Sequence, residues 1–418
     1  MSASAPTISH SVDLLSTQAS LDPSTPKSKE FQAHADYHHQ HHQIPLVLPS
    51  PDDSESDEIE GAPSESRSSS DTTLSTNSDN INSANTTTNT SLNKTVCHGR
   101  VKDPEAMVSK TWWKTVFSDQ LYLQTDGDVV EDPAITLEEV RLLEGISAIH
   151  NILQASFSPD RTIKVLDLCC GQGRHTLQLA ELYPSLELHG HDQSEFLIQL
   201  ARSRAAASAS SKDDVPLSSS PSKSETTACA QINFTIGDCR SIPFPDQTFD
   251  LVLMMGNSFG YFSNDKDDET VLAQISRVLC PGGVVVLDIT DGAYQRENFS
   301  PRGWEWVDDE MLVCRERWLS EDRKRLVCRE VVIKTALGVI RDQFYQERLY
   351  DGEEMRHLLR SAGLKRLCEA DEEQQQAQGD HLVRDLEIKT GKEMSQRGED
   401  LGMMDQRNFV VAVKPTTL

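Results

Sequence analysis

The chain has 418 residues, with 66 acidic side chains against 40 basic ones and a formal net charge of −26. A body of that sign repels phosphate backbones and anionic lipid alike, so neither nucleic acid nor a membrane is expected as its main partner. The nine cysteines contain no C-x-x-C pair, which fits free thiols in a reducing compartment rather than a disulfide framework or a metal site.

Residues 1 to 100 are rich in Ser, Thr, Asn, Asp and Pro and almost free of aromatics. Such a segment cannot bury enough apolar surface to offset its chain entropy and is predicted to be a disordered tail. Its 13 acidic and 5 basic residues give it −8 and leave −18 for the remainder. His38-His-Gln-His-His42 lies in this polar tract and reads as low-complexity sequence rather than a metal site. The acidic run Pro51 to Glu60 reads as solvating sequence, with a protein partner of the tail as the alternative. The N-terminus lacks the Arg of a mitochondrial presequence and the apolar core of a signal peptide, and no apolar run reaches membrane-span length. A cytoplasmic location is expected, with the nucleus as the alternative.

The remaining residues, 101–418, make about one domain. Trp112-Trp113, Phe117 and Tyr122 precede a helical pattern over Leu137 to Leu153. Ile163 to Leu168 is a short apolar strand that breaks at Cys169-Cys170, turns through Gly171 and Gly173, and enters a helix over Thr176 to Tyr183. This strand, glycine turn and helix let a ligand approach bare backbone. The dinucleotide pattern G-x-G-x-x-G would need a third glycine where Thr176 stands. Leu186 to His191 is the next strand, ending at Asp192, where a carboxylate is placed to hold both hydroxyls of a ribose. Ser194 caps the following helix. His189 and His191 share a strand face, which reads as packing rather than metal ligation. Ala205 to Thr227 is Ser-rich and is predicted to be a disordered insertion.

Ile232 to Ile236 is a third strand, followed by Gly237-Asp238-Cys239. Phe249 to Met255 is a fourth, apolar enough to be covered on both faces. An amphipathic helix over Asp268 to Leu279 stops at Pro281-Gly-Gly283, and Val284 to Ile289 is a fifth strand. The marked residues Gly171, Asp192, Asp238 and Gly256-Asn257 all fall at carboxyl ends of strands, where open parallel sheets bind ligands.

Asp167-x-x-x-Gly171-x-Gly173 and the strand ends that follow resemble the class I S-adenosylmethionine-dependent methyltransferases, over Ile163 to Asp288 and again at the final strand Phe409 to Val413. The resemblance implies an α/β fold: a Rossmann-like, seven-stranded, doubly wound sheet whose last strand pairs antiparallel. It implies S-adenosyl-L-methionine as cofactor. By position, Asp167 would orient the loop and Gly171 and Gly173 would underlie the methionine part. Asp192 would bind the ribose, Asp238 the adenine amino group, and the Cys239 backbone would support the ring. Met255, Gly256 and Asn257 would line the sulfonium end.

Gly256-Asn-Ser-Phe-Gly-Tyr-Phe262 lacks the Asn/Asp-Pro-Pro-aromatic motif of amino-methylating nucleic-acid enzymes. It resembles the small-molecule branch, with an amine or hydroxyl acceptor. Four strands within about 301–350 (Trp304 to Trp306, Met311 to Trp318, Arg325 to Thr335, Arg341 to Tyr350) read as an antiparallel β lid inserted after the fifth strand, closed by a helix over Asp351 to Gly363. Trp304, Trp306, Tyr261 and Phe259 are candidates for an aromatic acceptor pocket, against ordinary sheet packing. Residues 369–400 are Gln- and charge-rich, a solvated loop or helix. Trp112 to Tyr122 resemble an N-terminal cover over the cofactor. Transfer from a sulfonium needs chiefly orientation, plus removal of the acceptor's proton. His175, Tyr261 and Glu305 are candidate bases, and Arg174 with His175 could instead face the cofactor carboxylate. The alternative is a non-catalytic scaffold on the same fold, working through its acidic tail. A nicotinamide oxidoreductase is disfavoured by Asp167 and the missing third glycine.

Overall fold

The computed structural model describes residues 96, 98–158, 161–210, 230–367, 387–388 and 406–416. The expected tail (apart from its last few residues), most of the Ser-rich insertion and most of the Gln-rich segment lie outside the described residues.

The main sheet follows from runs of β-branched and leucine residues bounded by turn signals. Its strands are β1 (Lys164–Leu168), β2 (Glu187–Asp192), β3 (Gln231–Ile236), β4 (Phe249–Met254) and β5 (Leu279–Thr290). The lid then supplies β6 (Arg302–Trp306), β7 (Met311–Leu319), β8 (Arg325–Lys334) and β9 (Gly338–Arg348) as a separate antiparallel meander. The short strands β10 (Lys365–Arg366) and β11 (Glu387–Ile388) and the final β12 (Arg407–Val413) return to the first sheet. The order there is β10-β12-β5-β4-β1-β2-β3, with β11 pairing β12. All neighbours from β5 to β3 are parallel, and β12 runs antiparallel to β5. The fold is thus the expected doubly wound sheet. Chain order reverses between β1 and β4, which opens a crevice at their carboxyl ends.

Both faces of this sheet are covered. Leu166, Leu168, Val252, Met254, Val285 and Leu287 pack into one core cluster. The alternating Val165, Leu251, Leu253, Val284 and Val286 pack into another on the opposite face, as the period of two requires. All six residues of β4 are buried.

Several boundaries differ from the sequence reading. The single helix expected over Leu137 to Leu153 is two, Pro133–Glu144 and Ser147–Ala155. The first starts early because Asp132 accepts the Ala134 N–H with Pro133 in the first turn, a favoured start. The helix after the glycine turn begins at Arg174. Residues 205–210 extend the helix Glu195–Ser210 rather than opening the insertion; three consecutive alanines there favour helix. β5 starts at Leu279, before the Pro-Gly-Gly turn.

Candidate functional site

The site is built on backbone that only a few residues tolerate. Gly171 (φ +55°) and Gly173 (φ +76°) are left-handed. A Cβ on Gly173 would stand 2.9 Å from the Phe234 ring and 3.1 Å from Ala201, so glycine is required there on two counts. Cys169 and Asn257 are also left-handed, without being glycine. Strain of this kind persists only where surrounding structure fixes it.

Two carboxylates do the fixing. Asp167 accepts the Thr176 N–H (3.2 Å) and hydroxyl (2.6 Å), tying β1 to the helix Arg174–Leu182 across the turn. Asp192 accepts the Gly171 N–H through Oδ2 (2.9 Å) and the Ser194 N–H through Oδ1 (2.8 Å). Burial pushes the pKa of both above the ordinary aspartate value, against these hydrogen bonds.

Two adjoining cavities open over this floor. Asp192, Gln193, Leu197, Asp238, Cys239, Trp113 and Phe262 line one. Asp167, Arg174, His175, Met255, Asn257 and the lid residues Arg315, Arg317, Glu330, Gln343 and Tyr345 line the other. Phe117, Tyr122, Cys169, Gly171, Gly256, Ser258 and Tyr261 border both. The structure therefore brings every residue expected at the cofactor, Gly173 alone excepted, to the walls of one continuous recess. Gly173 lies behind the wall, packed against Phe234.

The roof is the segment from Trp112 to Val130. Trp112 donates its indole N–H to the Tyr261 carbonyl (3.2 Å). Its ring lies 4.9 Å from Tyr261 and 5.7 Å from Tyr345. Gln193 and Ser194, directly after Asp192, donate to the carbonyls of Trp113 and Phe117.

Asp238 differs from the expectation. Arg240 binds its carboxylate through Nε and Nη2 and donates its backbone N–H as well. These bonds hold its pKa below the ordinary value. The same guanidinium lies 4.4 Å over Phe262, so an arginine shares the place assigned to Asp238 alone.

The three candidate bases fare differently. His175 lines the cavity, but its Nε2 is hydrogen-bonded to the fully buried Glu139 at 2.8 Å. Glu139 also binds Arg174 and Arg407. Against burial, those guanidiniums hold its pKa well below the ordinary value. Tyr261 sits at the junction of the cavities, but burial, with Glu347 and Tyr122 nearby, pushes its hydroxyl well above its ordinary pKa. That disfavours it as a proton acceptor. Glu305 is not among the lining residues and is paired with Arg315.

The tryptophan pocket needs correction. Trp304 and Trp306 are 67% and 54% exposed. Both stand on the edge strand β6 opposite Glu305 in the pleat, and Glu305 faces Arg315. Phe259 is buried against Tyr350. The aromatic wall is instead Trp112, Phe117, Tyr122, Tyr261 and Tyr345. His189 and His191 bond Glu187 and Thr235.

The lid expected from the sequence also lines the site with charged residues that the sequence did not single out. Arg315 and Arg317 alternate with half-buried residues on β7 and are themselves buried. Two arginines at alternate, inward positions of a strand are the signal by which the sequence could have revealed them. Arg315 binds Glu330 on the neighbouring strand (2.9 Å) and reaches the Thr125 carbonyl and Asp126 in the roof (3.3 and 3.4 Å).

Residues 159–363 match a family model described as a methyltransferase domain. That match covers just under half of the chain and agrees with the resemblance to the class I S-adenosylmethionine-dependent methyltransferases. It is 35% identical over 124 residues to a demethylmenaquinone methyltransferase of Geobacillus sp. (strain WCH70), covering 29% of this chain and 43% of that protein. It is 34% identical over 129 residues to a 2-phytyl-1,4-naphtoquinone methyltransferase of Synechococcus elongatus, covering 30% and 46%. The chain thus spans less than half the length of these relatives. Among solved structures, the CcbJ methyltransferase from Streptomyces caelestis aligns at 18% identity over 72% of this chain and 99% of that chain, with a TM-score of 0.47.

Proposed function

We propose that this chain binds S-adenosyl-L-methionine in the recess and transfers its methyl group to a small-molecule acceptor held between the roof and the lid. One observation carries this reading. Asp167 and Asp192 each lock the same left-handed glycine turn, and the turn is shared by both cavities. The residues fit the cofactor. Both Asp192 oxygens keep acceptor capacity after their backbone bonds, as a ribose diol requires. The turn offers backbone with no side chain at Gly171. The cofactor supplies an electrophilic methyl on a sulfonium.

The chain's own residues supply position and dryness. The aromatic roof and the lid exclude water, and Met255 to Asn257 form the floor where the cavities meet. Orientation alone is worth effective molarities of roughly 10⁵–10⁸ M. The acceptor is an amine or hydroxyl compound. The names of the quinone methyltransferases among the relatives add a ring acceptor to the compounds worth trying. With His175 committed to Glu139 and Tyr261 raised in pKa, the proton leaves to solvent or with the acceptor's own ionisation. No partner among nucleic acids or membranes is proposed, and a cytoplasmic location is the companion expectation.

The test is transfer of labelled methyl from S-adenosylmethionine to a panel of amines, phenols and reduced naphthoquinones by the full-length protein. Label in any of these, abolished by Asp192→Ala, supports the reading. No label in any class, from folded protein that also fails to bind the cofactor, overturns it.

A further inference from the structure

Between the floor and the lid lies a contact that none of the proposed roles uses. Asn257 follows β4 in a left-handed conformation (φ +57°). Its side-chain Oδ1 accepts the Thr290 N–H at 2.8 Å. That bond fixes which end of the amide is which, so Nδ2 must donate, and it donates to Glu347 Oε2 at 2.5 Å. Glu347 is on β9, near the end of the lid, and is 1% exposed. The next residue repeats the tie through backbone, Arg348 N–H to the Gly260 carbonyl at 2.7 Å. Glu347 Oε1 is fully buried and has no hydrogen-bond partner among the described residues.

We propose that Glu347 is a positioning residue, the clasp that holds the lid against Asn257 and thereby sets the floor at the meeting point of the two cavities. This rests on the methyltransferase reading, because the floor matters only if a ligand sits there.

The groups packed around Glu347 come from each neighbouring element: Asn257 after β4, the Thr290 hydroxyl at the end of β5, Arg317 on β7, and Tyr261 in the loop between them. Asn257 and Thr290 donate to the carboxylate and Arg317 attracts it, all favouring ionisation. Burial outweighs them and pushes the Glu347 pKa up to about 8. Its ordinary value is near 4.5, so it closes the lid as a neutral acid at pH 7. The closed arrangement binds this proton more tightly than an open, solvated one. Closure is therefore favoured fully below about pH 4.5, weakens as pH rises toward about 8, and changes no further above it.

The experiment measures S-adenosylhomocysteine affinity by calorimetry from pH 5.5 to 9.5 for the full-length protein, Glu347→Gln and Glu347→Ala. Hydrogen exchange is followed in the 255–262 loop and the 338–348 strand. The wild type is expected to lose several-fold affinity between pH 6 and 8.5 and then level off. Glu347→Gln, which keeps an acceptor for Asn257 and cannot ionise, is expected to lack that part of the pH dependence. Glu347→Ala is expected to exchange at least tenfold faster in both segments at pH 6. A Glu347→Gln profile equal to wild type, or unchanged exchange in Glu347→Ala, overturns the clasp. If nothing binds the wild type, the methyltransferase reading fails, and the exchange comparison still decides whether the clasp exists.

Discussion

The glycine turn and the lid solve the same problem, holding polar groups out of water, by opposite means. At the turn, carboxylates meet backbone amides close in sequence: Asp167 with Thr176 nine residues on, Asp192 with Gly171 twenty-one residues back. At the lid and roof, and where the final strand β12 meets the helix Pro133–Glu144, side chains meet side chains or carbonyls from far away. Arg315 reaches Thr125 across 190 residues, Asn257 reaches Glu347 across 90, and Arg407 reaches Glu139 across 268. Backbone amides are supplied by any sequence that makes the turn. Long-range pairs need both partners, and losing one strands a buried charge.

That contrast is most severely tested at Arg407, which binds Glu139 at 2.7 Å and Asp288 at 2.5 Å with all three side chains buried. Arg407→Met leaves two buried carboxylates facing each other, and is expected to lower unfolding free energy by about 3–5 kcal/mol in denaturant titrations. A loss under 1 kcal/mol would mean the network is not closed as described. Gly173→Ala probes the local device. Its left-handed backbone and the contact with Phe234 predict a loss of about 1–3 kcal/mol in the same assay.

A smaller effect is expected at Asp268, where burial, against the hydrogen bond from Tyr350 (2.7 Å), raises the pKa to about 7. Its contribution to stability is complete below about pH 4 and is lost as pH rises through 7. Melting temperature should fall over that window, and the fall should be shallower in Asp268→Asn. The smallest effect belongs to the exposed lid edge. Trp304→Ser with Trp306→Ser should change stability by less than about 0.5 kcal/mol each and leave methyl transfer to the acceptor unchanged. A loss of transfer there would restore the tryptophan pocket.

The same division governs what could be read in the sequence. The order of strands, the turn at Gly171 and Gly173, the carboxylate at Asp192 and the lid meander were legible because each is a local pattern: an apolar run, a glycine, a strand end, an alternation. The Arg240 grip on Asp238, the Glu139 hold on His175 and the outward aim of Trp304 and Trp306 were not. Each depends on which distant segment packs alongside, and on which face of a strand the lid turns inward. The break at Gly145-Ile146 escaped because the apolar period runs straight through it.

The central claim is that the turn held by Asp167 and Asp192 is a cofactor site. It is tested most directly by titrating S-adenosylmethionine and S-adenosylhomocysteine into the full-length protein and Asp192→Ala by calorimetry. Saturable micromolar binding to the wild type, weakened at least about tenfold (~1.4 kcal/mol) in the folded variant, is the expected result. Absence of saturable binding to folded wild type, or equal affinity in Asp192→Ala, would contradict it.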